Sequence, residues 1–285
     1  MEDFSQYKIK EWNHPLSIKN YSRRGDTIAP SSEEIAFYTK YLNRIKAKVG
    51  EPKMLILGAT SELRDLGLKL GFEVFAVDMN VKMITLANRF LTIKDRRKEK
   101  VIQADWLEVF LQNNFFAAVL GDVSLNNVSA SALPELMEKI YSWLKPGGSL
   151  LIRNFVLPAA EKDITDIKND LAAWRQKKIG FREFYFRYRV GHCFACCYDK
   201  ENKIFDAAKE YLWLDQLYQT GLFTKAEYGE LNLRRSVYRH TVLLINDFLT
   251  IFSQYFKVIE ISAEVPENVG FYPVKLFAGE KNVKA

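Results

Sequence analysis

The sequence predicts an α/β fold: a mostly parallel sheet with helices on both faces. Three observations predict it. Apolar runs of strand length alternate with helix-patterned segments from Met54 to Phe155. The links between them are short, which implies parallel strands joined by right-handed crossovers. The first run, Met54–Leu57, is continuously apolar rather than alternating, as in a strand covered on both faces.

The elements follow in order. In residues 1–52, Trp12 and Pro15 sit in a stretch that reads as irregular. Ser31 and Glu34 then form a capping-box pattern, and Ile35, Tyr38, Leu42 and Ile45 carry helical spacing toward Gly50. This helix is expected beside the ligand-binding end of the sheet. Arg23 and Arg24, just before it, read either as a surface turn or as a pair that closes over a ligand. In residues 53–155, the first strand ends at Gly58, and Ser61–Gly71 is a helix stopped by its glycine. Val74–Asp78 is the second strand, Val81–Leu91 a helix, Lys100–Asp105 the third strand and Phe116–Asp122 the fourth. Ala132–Leu144 is a helix closed by the Lys145–Gly148 turn, and Ser149–Phe155 is the fifth strand.

Residues 156–240 read as an insertion. Phe181–Val190 alternates as a strand does and runs into Cys193, Cys196 and Cys197, with a turn near Asp199–Asn202. The segment from Lys203 continues as strand or becomes helix. In residues 241–285, the apolar positions of Thr241–Phe256 repeat at helical spacing, so a helix is expected to pack on the sheet before the last strands, Phe256–Ile261 and Tyr272–Gly279.

The chain has 285 residues, of which 48% are hydrophobic, ample for a packed core. Its apolar runs all fall short of the ~20 residues of a membrane span, so no membrane contact is expected. The first twelve residues lack the apolar region of a secretory signal, and a cytoplasmic setting is the natural reading. The net charge of +6 is spread along the chain. Its one dense run, Lys94–Lys100, reads as a solvated loop, which leaves a nucleic-acid partner possible but unsupported. A zinc site needs four ligands at workable spacing. The clustered cysteines do not supply them, so no metal is expected, and they read as buried or half-buried thiols in a strand.

The chemistry points to the strand–turn–helix–strand unit from Lys53 to Asp78. An acidic residue stands 20 positions after the turn glycine. That is the layout of a nucleotide cradle: glycine admits the ligand to the backbone, the helix start offers N–H groups, and the carboxylate accepts ribose hydroxyls. Thr60 and Leu63 occupy the other two glycine positions of a dinucleotide fingerprint. A pyrophosphate, and with it a nicotinamide oxidoreductase, is therefore disfavoured, and a ligand with a ribose but no phosphate fits better.

The motifs LILGATSEL, VFAVDMN, IQADWLE, FAAVLGDVSLNNV and LKPGGSLLIRNF, in that order and spacing, resemble the class I S-adenosylmethionine-dependent methyltransferases. The resemblance covers residues 53–155, and FKVIEI and YPVKLFAG resemble the last two strands of the same fold. It implies a Rossmann-like, mostly parallel seven-stranded sheet with a C-terminal antiparallel strand and an insertion between strands five and six. It also implies S-adenosyl-L-methionine as cofactor, residues 1–52 as a helical segment covering its site, and residues 156–240 as the substrate-specificity segment. The cofactor-binding positions are then Gly58, Ala59, Thr60, Glu62, Asp78, Met79, Asp105, Trp106 and Asp122. Where the family carries an acidic residue just before the loop glycine, this chain has Ile56, so contacts to the cofactor's amino-acid end must come from Glu62 or the N-terminal segment. On the acceptor side the candidates are Asp122, Arg153, which binds a substrate carboxylate or pairs with Asp122, and His192; His240 is a further histidine. The acceptor expected is a small molecule. RNA or protein acceptors, or a non-catalytic binding module, are the alternatives.

Overall fold

The computed structural model describes residues 4–23, 29–49, 52–157, 167–192, 194–233, 235–262 and 274–282. Arg24 and Cys193 lie outside them, as does the side chain of Arg23. The strands are β1 (Lys53–Leu57), β2 (Glu73–Asp78), β3 (Glu99–Gln103), β4 (Phe116–Asp122), β5 (Leu144–Leu157), β6 (Tyr198–Asp199), β7 (Ile204–Asp206), β8 (Arg239–Thr241), β9 (Leu243–Leu244), β10 (Phe256–Ile261) and β11 (Val274–Lys281). The helices are α1 (Phe4–Asn13), α2 (Pro15–Arg23), α3 (Ser32–Lys48), α4 (Ser61–Lys69), α5 (Val81–Asn88), α6 (Leu133–Trp143), α7 (Ile167–Arg175), α8 (Phe181–Phe186), α9 (Phe194–Cys197), α10 (Ala207–Gln219), α11 (Lys225–Asn232) and α12 (Ile245–Ser253).

The main sheet runs β10-β11-β5-β4-β1-β2-β3, with β9 added in parallel at the end of β5. Strands β1 to β5 are parallel, and β11 is antiparallel to both neighbours. Successive strand residues face opposite sides, and the core divides accordingly. Leu55, Leu57, Phe75, Val77 and Val119 pack under α6 and α12. Met54, Ile56, Val74, Ala76 and Leu120 pack under α3 and α4. Both faces are dry, which is why these strands read as unbroken apolar runs. The Lys145–Gly148 turn is absorbed into β5, whose register against β4 shifts between Phe116 and Ala118.

The capping box of α3 is present, with the Ser31 side chain accepting from the Glu34 N–H and the Glu34 carboxylate accepting from the Ser31 N–H. Three expectations change. The stretch around Trp12 and Pro15 is not irregular but forms α1 and α2. Phe181–Val190 is not a strand: it forms α8, followed by a π-helical turn over Arg187–His192. Phe181, Phe184, Tyr185 and Tyr188 fall at i, i+3, i+4 and i+7, and this face joins a second core with Leu171, Phe205, Tyr211 and Phe223. The helical period, not the alternation, is the one that buries the rings. Cys196 and Cys197 accordingly sit in the short helix α9, one exposed and one buried. The segment from Lys203 is both things in turn, strand β7 and then helix α10.

Candidate functional site

The registers bring the carboxyl ends of four strands level. Leu57 stands beside Val77 and Gly121, and Asp122 beside Arg153. A cavity of about 280 Å³ opens there, near the lower end of small-molecule sites. Gly58, at φ +104°, turns the chain at its floor. A Cβ on Gly58 would stand 3.9 Å from Asp78 Oδ2, 3.9 Å from Ser124 Oγ and 4.0 Å from the Trp106 ring, inside the cradle. The left-handed backbone is what favours glycine here, since a Cβ would make only ordinary contacts with these atoms. The Gly58 N–H and the Trp106 Nε1–H donate to the same carbonyl, Val77 O, at 2.8 and 2.6 Å. This locks the indole as a wall.

Asp78 ends β2, and its Oδ1 accepts the Asn80 N–H at 2.8 Å. The carboxylate is partly accessible at the mouth, yet protein surrounds it on most sides. That desolvation outweighs the backbone N–H donors of Asn80 and Ala59 and pushes its pKa up to about 6. Asn80 also caps α5 through its side-chain oxygen and reaches Asn13 of α1 at 3.2 Å. Met79 and Asp105 line the same wall, Asp105 accepting from the Leu107 N–H at 2.9 Å.

The turn after β4 supplies the opposite wall. Val123 sits at φ +56°, a costly conformation for a β-branched residue. It places Asp122, Ser124 and Asn127 along the cavity. The Ser124 hydroxyl donates to Leu57 O and accepts the Asp122 N–H. The Asn127 amide nitrogen donates to Val123 O, which leaves its Oδ1 buried with no donor among the described residues.

Behind Asp122 lies a buried triad. Arg153 is completely buried and donates to Asp122 at 2.5 Å and to Glu34 at 2.9 Å. The capping glutamate of α3 thus also holds the end of β5. Tyr38 of the same helix donates to Gly121 O at 2.7 Å, and burial beside Asp122 raises its hydroxyl well above the ordinary range.

The roof comes from the first two helices. Phe4, Lys8, Ile9 and Trp12 of α1 and Tyr21 of α2 line the cavity. Lys8 pairs with Glu11 at 3.0 Å and donates to Arg239 O, while Glu11 accepts the Arg239 N–H at 2.9 Å. The Tyr238 hydroxyl donates to Ser17 O, and its ring lies 4.7 Å from Trp12. The roof is therefore pinned to β8 and the residue before it. Asn126 clamps β8 to β5, bonding Phe155 N–H, Phe155 O and Thr241 O.

Of the residues expected from the sequence, Gly58, Ala59, Thr60, Asp78, Met79, Asp105, Trp106 and Asp122 meet at this cavity. Glu62 does not line it: it follows Ser61 into α4, where the Ser61 hydroxyl donates to it. Arg153 is behind the wall, taking the Asp122 partnership instead of facing a substrate. His192 is in the insertion, its Nε2 2.9 Å from Asp170, and is not on the lining. His240 lies half-buried between the Phe155 and Tyr238 rings, and the desolvation of its ring holds its pKa well below the ordinary value, so it stays neutral. Sequence reading missed Lys8, Trp12, Tyr21, Ser124, Asn127 and Ser129. The i, i+4, i+8 spacing of Phe4, Lys8 and Trp12 is the one signal that was there to find.

Among the described residues no group of three or more His, Cys, Asp or Glu is placed to hold a metal ion, and no helix is long and apolar enough to cross a membrane. Residues 58–148 match the family model of a methyltransferase domain. No curated protein matches the sequence. Solved structures share the fold at low identity. One is a Rhodobacter sphaeroides protein provisionally named a zinc-dependent alcohol dehydrogenase, with 16% identity, TM-score 0.59, and 99% of this chain and 100% of that one covered. A chain of the Haloferax volcanii complex between the Trm112 methyltransferase activator and a provisional methyltransferase has 12% identity, TM-score 0.53, and 97% and 98% coverage. The Burkholderia thailandensis 1,6-didemethyltoxoflavin-N1-methyltransferase, solved with 1,6-didemethyltoxoflavin and S-adenosylhomocysteine, has 13% identity, TM-score 0.53, and 99% and 92% coverage. At these identities the structural likeness speaks to fold alone.

Proposed function

We propose that this chain, whose residues 58–148 form a methyltransferase domain of the class I S-adenosylmethionine-dependent family, methylates a small molecule held beneath its own first two helices. The observation that carries the acceptor size is the roof: the chain closes its cavity with α1 and α2 and pins them to β8 by buried polar contacts. An extended nucleic acid or a folded protein would have to displace that roof to reach Asp122. A cytoplasmic setting belongs to the same reading.

The residues present fit S-adenosylmethionine. The space above Gly58, which a Cβ would fill, suits a ligand that approaches the backbone. Asp78 offers acceptors to a ribose diol, Met79 and Trp106 offer flat apolar contact to a purine, and Asp105 offers an acceptor to its exocyclic amine. The buried, unpartnered Asn127 Oδ1 and the outer oxygen of Asp122 offer acceptors to an ammonium. They do so in place of the acid that Ile56 lacks. When bound, the cofactor supplies an activated methyl group on a positive sulfur.

The protein's part is then positioning and exclusion of water. Arg153 and Ser124 fix Asp122, the Val77 carbonyl fixes Trp106 and Gly58, and the roof keeps solvent from the acceptor. A general base is required only for an acceptor that is protonated at neutral pH. Isothermal calorimetry with S-adenosylmethionine and S-adenosylhomocysteine tests the reading. Binding of both is expected, and no binding of either at millimolar ligand would reduce the chain to a non-catalytic module.

A further inference from the structure

We propose that the open edge of β3 is a docking surface for an extended acidic segment of a partner protein, which adds a strand to the main sheet and packs an apolar side chain on Phe110. Neither β3 nor Phe110 lines the cavity, so the surface does not depend on the methyl-transfer reading. β3 is the last strand of the sheet, and among the described residues no strand pairs with its outer side. The Val74 N–H donates to Lys98 O and the Ala104 N–H to Asp78 O, so the even-numbered residues of β3 face β2. Val101 and Gln103 therefore turn their N–H and C=O groups outward, the arrangement that takes up an added strand.

Phe110 marks the same corner. β3 and β4 are joined without a crossover helix. The chain folds back at once instead, with the Val109 N–H donating to Asp105 O at 2.8 Å, which keeps Phe110 near the end of β3. Val109 and Leu111 pack on the core, and Phe110 between them points away with 96% of its surface exposed. No other exposed large hydrophobic side chain among the described residues passes 63%. Charge names the occupant. Residues 94–100 carry five cations and two acids. Both acids are taken within the chain, Asp95 by Arg97 at 2.7 Å and Glu99 by Arg64 at 2.6 Å. Lys94 and Lys98 are exposed, with no acid paired to them among the described residues. Lysines at an edge discourage pairing with another copy of the chain, which brings the same cations, and they favour a strand of opposite charge.

The test uses the full chain and two fluorescein-labelled peptides, Glu-Val-Glu-Val-Glu-Val-Leu-Leu and the same sequence with Lys in place of Glu, read by anisotropy. The acidic peptide is expected to bind at least ten times more tightly, with the preference shrinking in high salt. Val101→Pro removes one outward N–H at a position where an edge strand tolerates proline. Phe110→Ser removes a ring that the fold leaves in water. Each should weaken the acidic peptide at least fivefold and leave the urea unfolding midpoint unchanged. Phe110→Ser still reads the surface where the proline lowers that midpoint. A preference below tenfold, or acidic-peptide binding that survives Phe110→Ser or a folded Val101→Pro, overturns the proposal. So does a dimer in sedimentation that either substitution dissociates, because the edge would then belong to a second copy.

Discussion

The floor and the roof of the cavity are held by different physics. The floor rests on β1, β2 and β4, whose interior residues are almost wholly buried under helices on both faces. The roof is joined to the insertion it leans on by polar contacts: Lys8 donates to Arg239 O, Glu11 accepts the Arg239 N–H, and Asn126 ties β8 to β5. Apolar burial is non-directional and tolerates small shifts, whereas a buried hydrogen bond requires its partner in place. The floor, proposed to hold the cofactor, is thus fixed by packing, and the roof, proposed to hold the acceptor, by a few directional contacts.

The largest effect expected is at the one place where the floor departs from this rule. Arg153→Met leaves Asp122 and Glu34 buried without their cation. Breaking a buried ion pair on one side costs about 3–5 kcal/mol, so the urea unfolding midpoint should fall steeply. A loss under about 1 kcal/mol, the range of exposed pairs, would show that the triad carries no more than a surface contact.

Asp78 sharpens the contrast, because the burial that raises its pKa works against folding at neutral pH, while the proposed ribose contact needs the charge. Asp78→Asn should weaken S-adenosylhomocysteine by at least about 1.5 kcal/mol, the scale of hydrogen bonds to a charged acceptor. Stability should hold or rise. The sign follows from the pKa, raised from 3.8 to about 6. Between these values the folded chain holds more protons than the unfolded one, so this carboxyl favours folding at low pH and its contribution is lost as pH rises through 6. Ligand binding runs the other way: affinity should fall as pH drops below about 6 and the acceptor is protonated. Calorimetry at pH 5 and 7.5 reads both trends, and a pH-independent affinity would remove Asp78 from the ribose.

The same division explains what the sequence could show. The floor was legible because dry strands leave continuous apolar runs, and because Gly58 and Asp78 stand at strand ends where ligands bind. The roof was not, because α1 and α2 bury polar groups: Lys8, Glu11 and Ser17 are all under 4% exposed. A helix whose inner face is charged has no apolar stripe to detect. Arg153 had both readings open in the sequence, and the choice lay in Glu34, 119 positions away. In Phe181–Tyr188 two periods coexist, and only the packing partners in α7 and α10 select the helical one.

Asn126 tests the seam between the regions. Asn126→Ala would leave the Phe155 N–H and O and the Thr241 O without their shared partner, at about 1–3 kcal/mol for buried groups left unsatisfied. Hydrogen exchange should quicken at Phe155 while β1 and β2 stay protected. Uniform exchange across the sheet would mean that floor and roof unfold as one unit.

The smallest effect isolates burial from charge. Arg175 makes a two-pronged pair with Glu227, as well formed as the Arg153 contacts but at the surface, with its side chain 45% exposed. The Arg175 hydrogen bonds hold the Glu227 carboxyl down to about 2. Water and salt screen such a pair, so Arg175→Ala should cost only about 0.2–1 kcal/mol. The sign is that of a depressed acid: the contribution is present above the ordinary glutamate range and fades as pH falls toward 2. The gap between variant and unmodified protein should therefore narrow in acid and in high salt. If Arg175→Ala cost as much as Arg153→Met in urea unfolding, desolvation would not be what separates the two pairs.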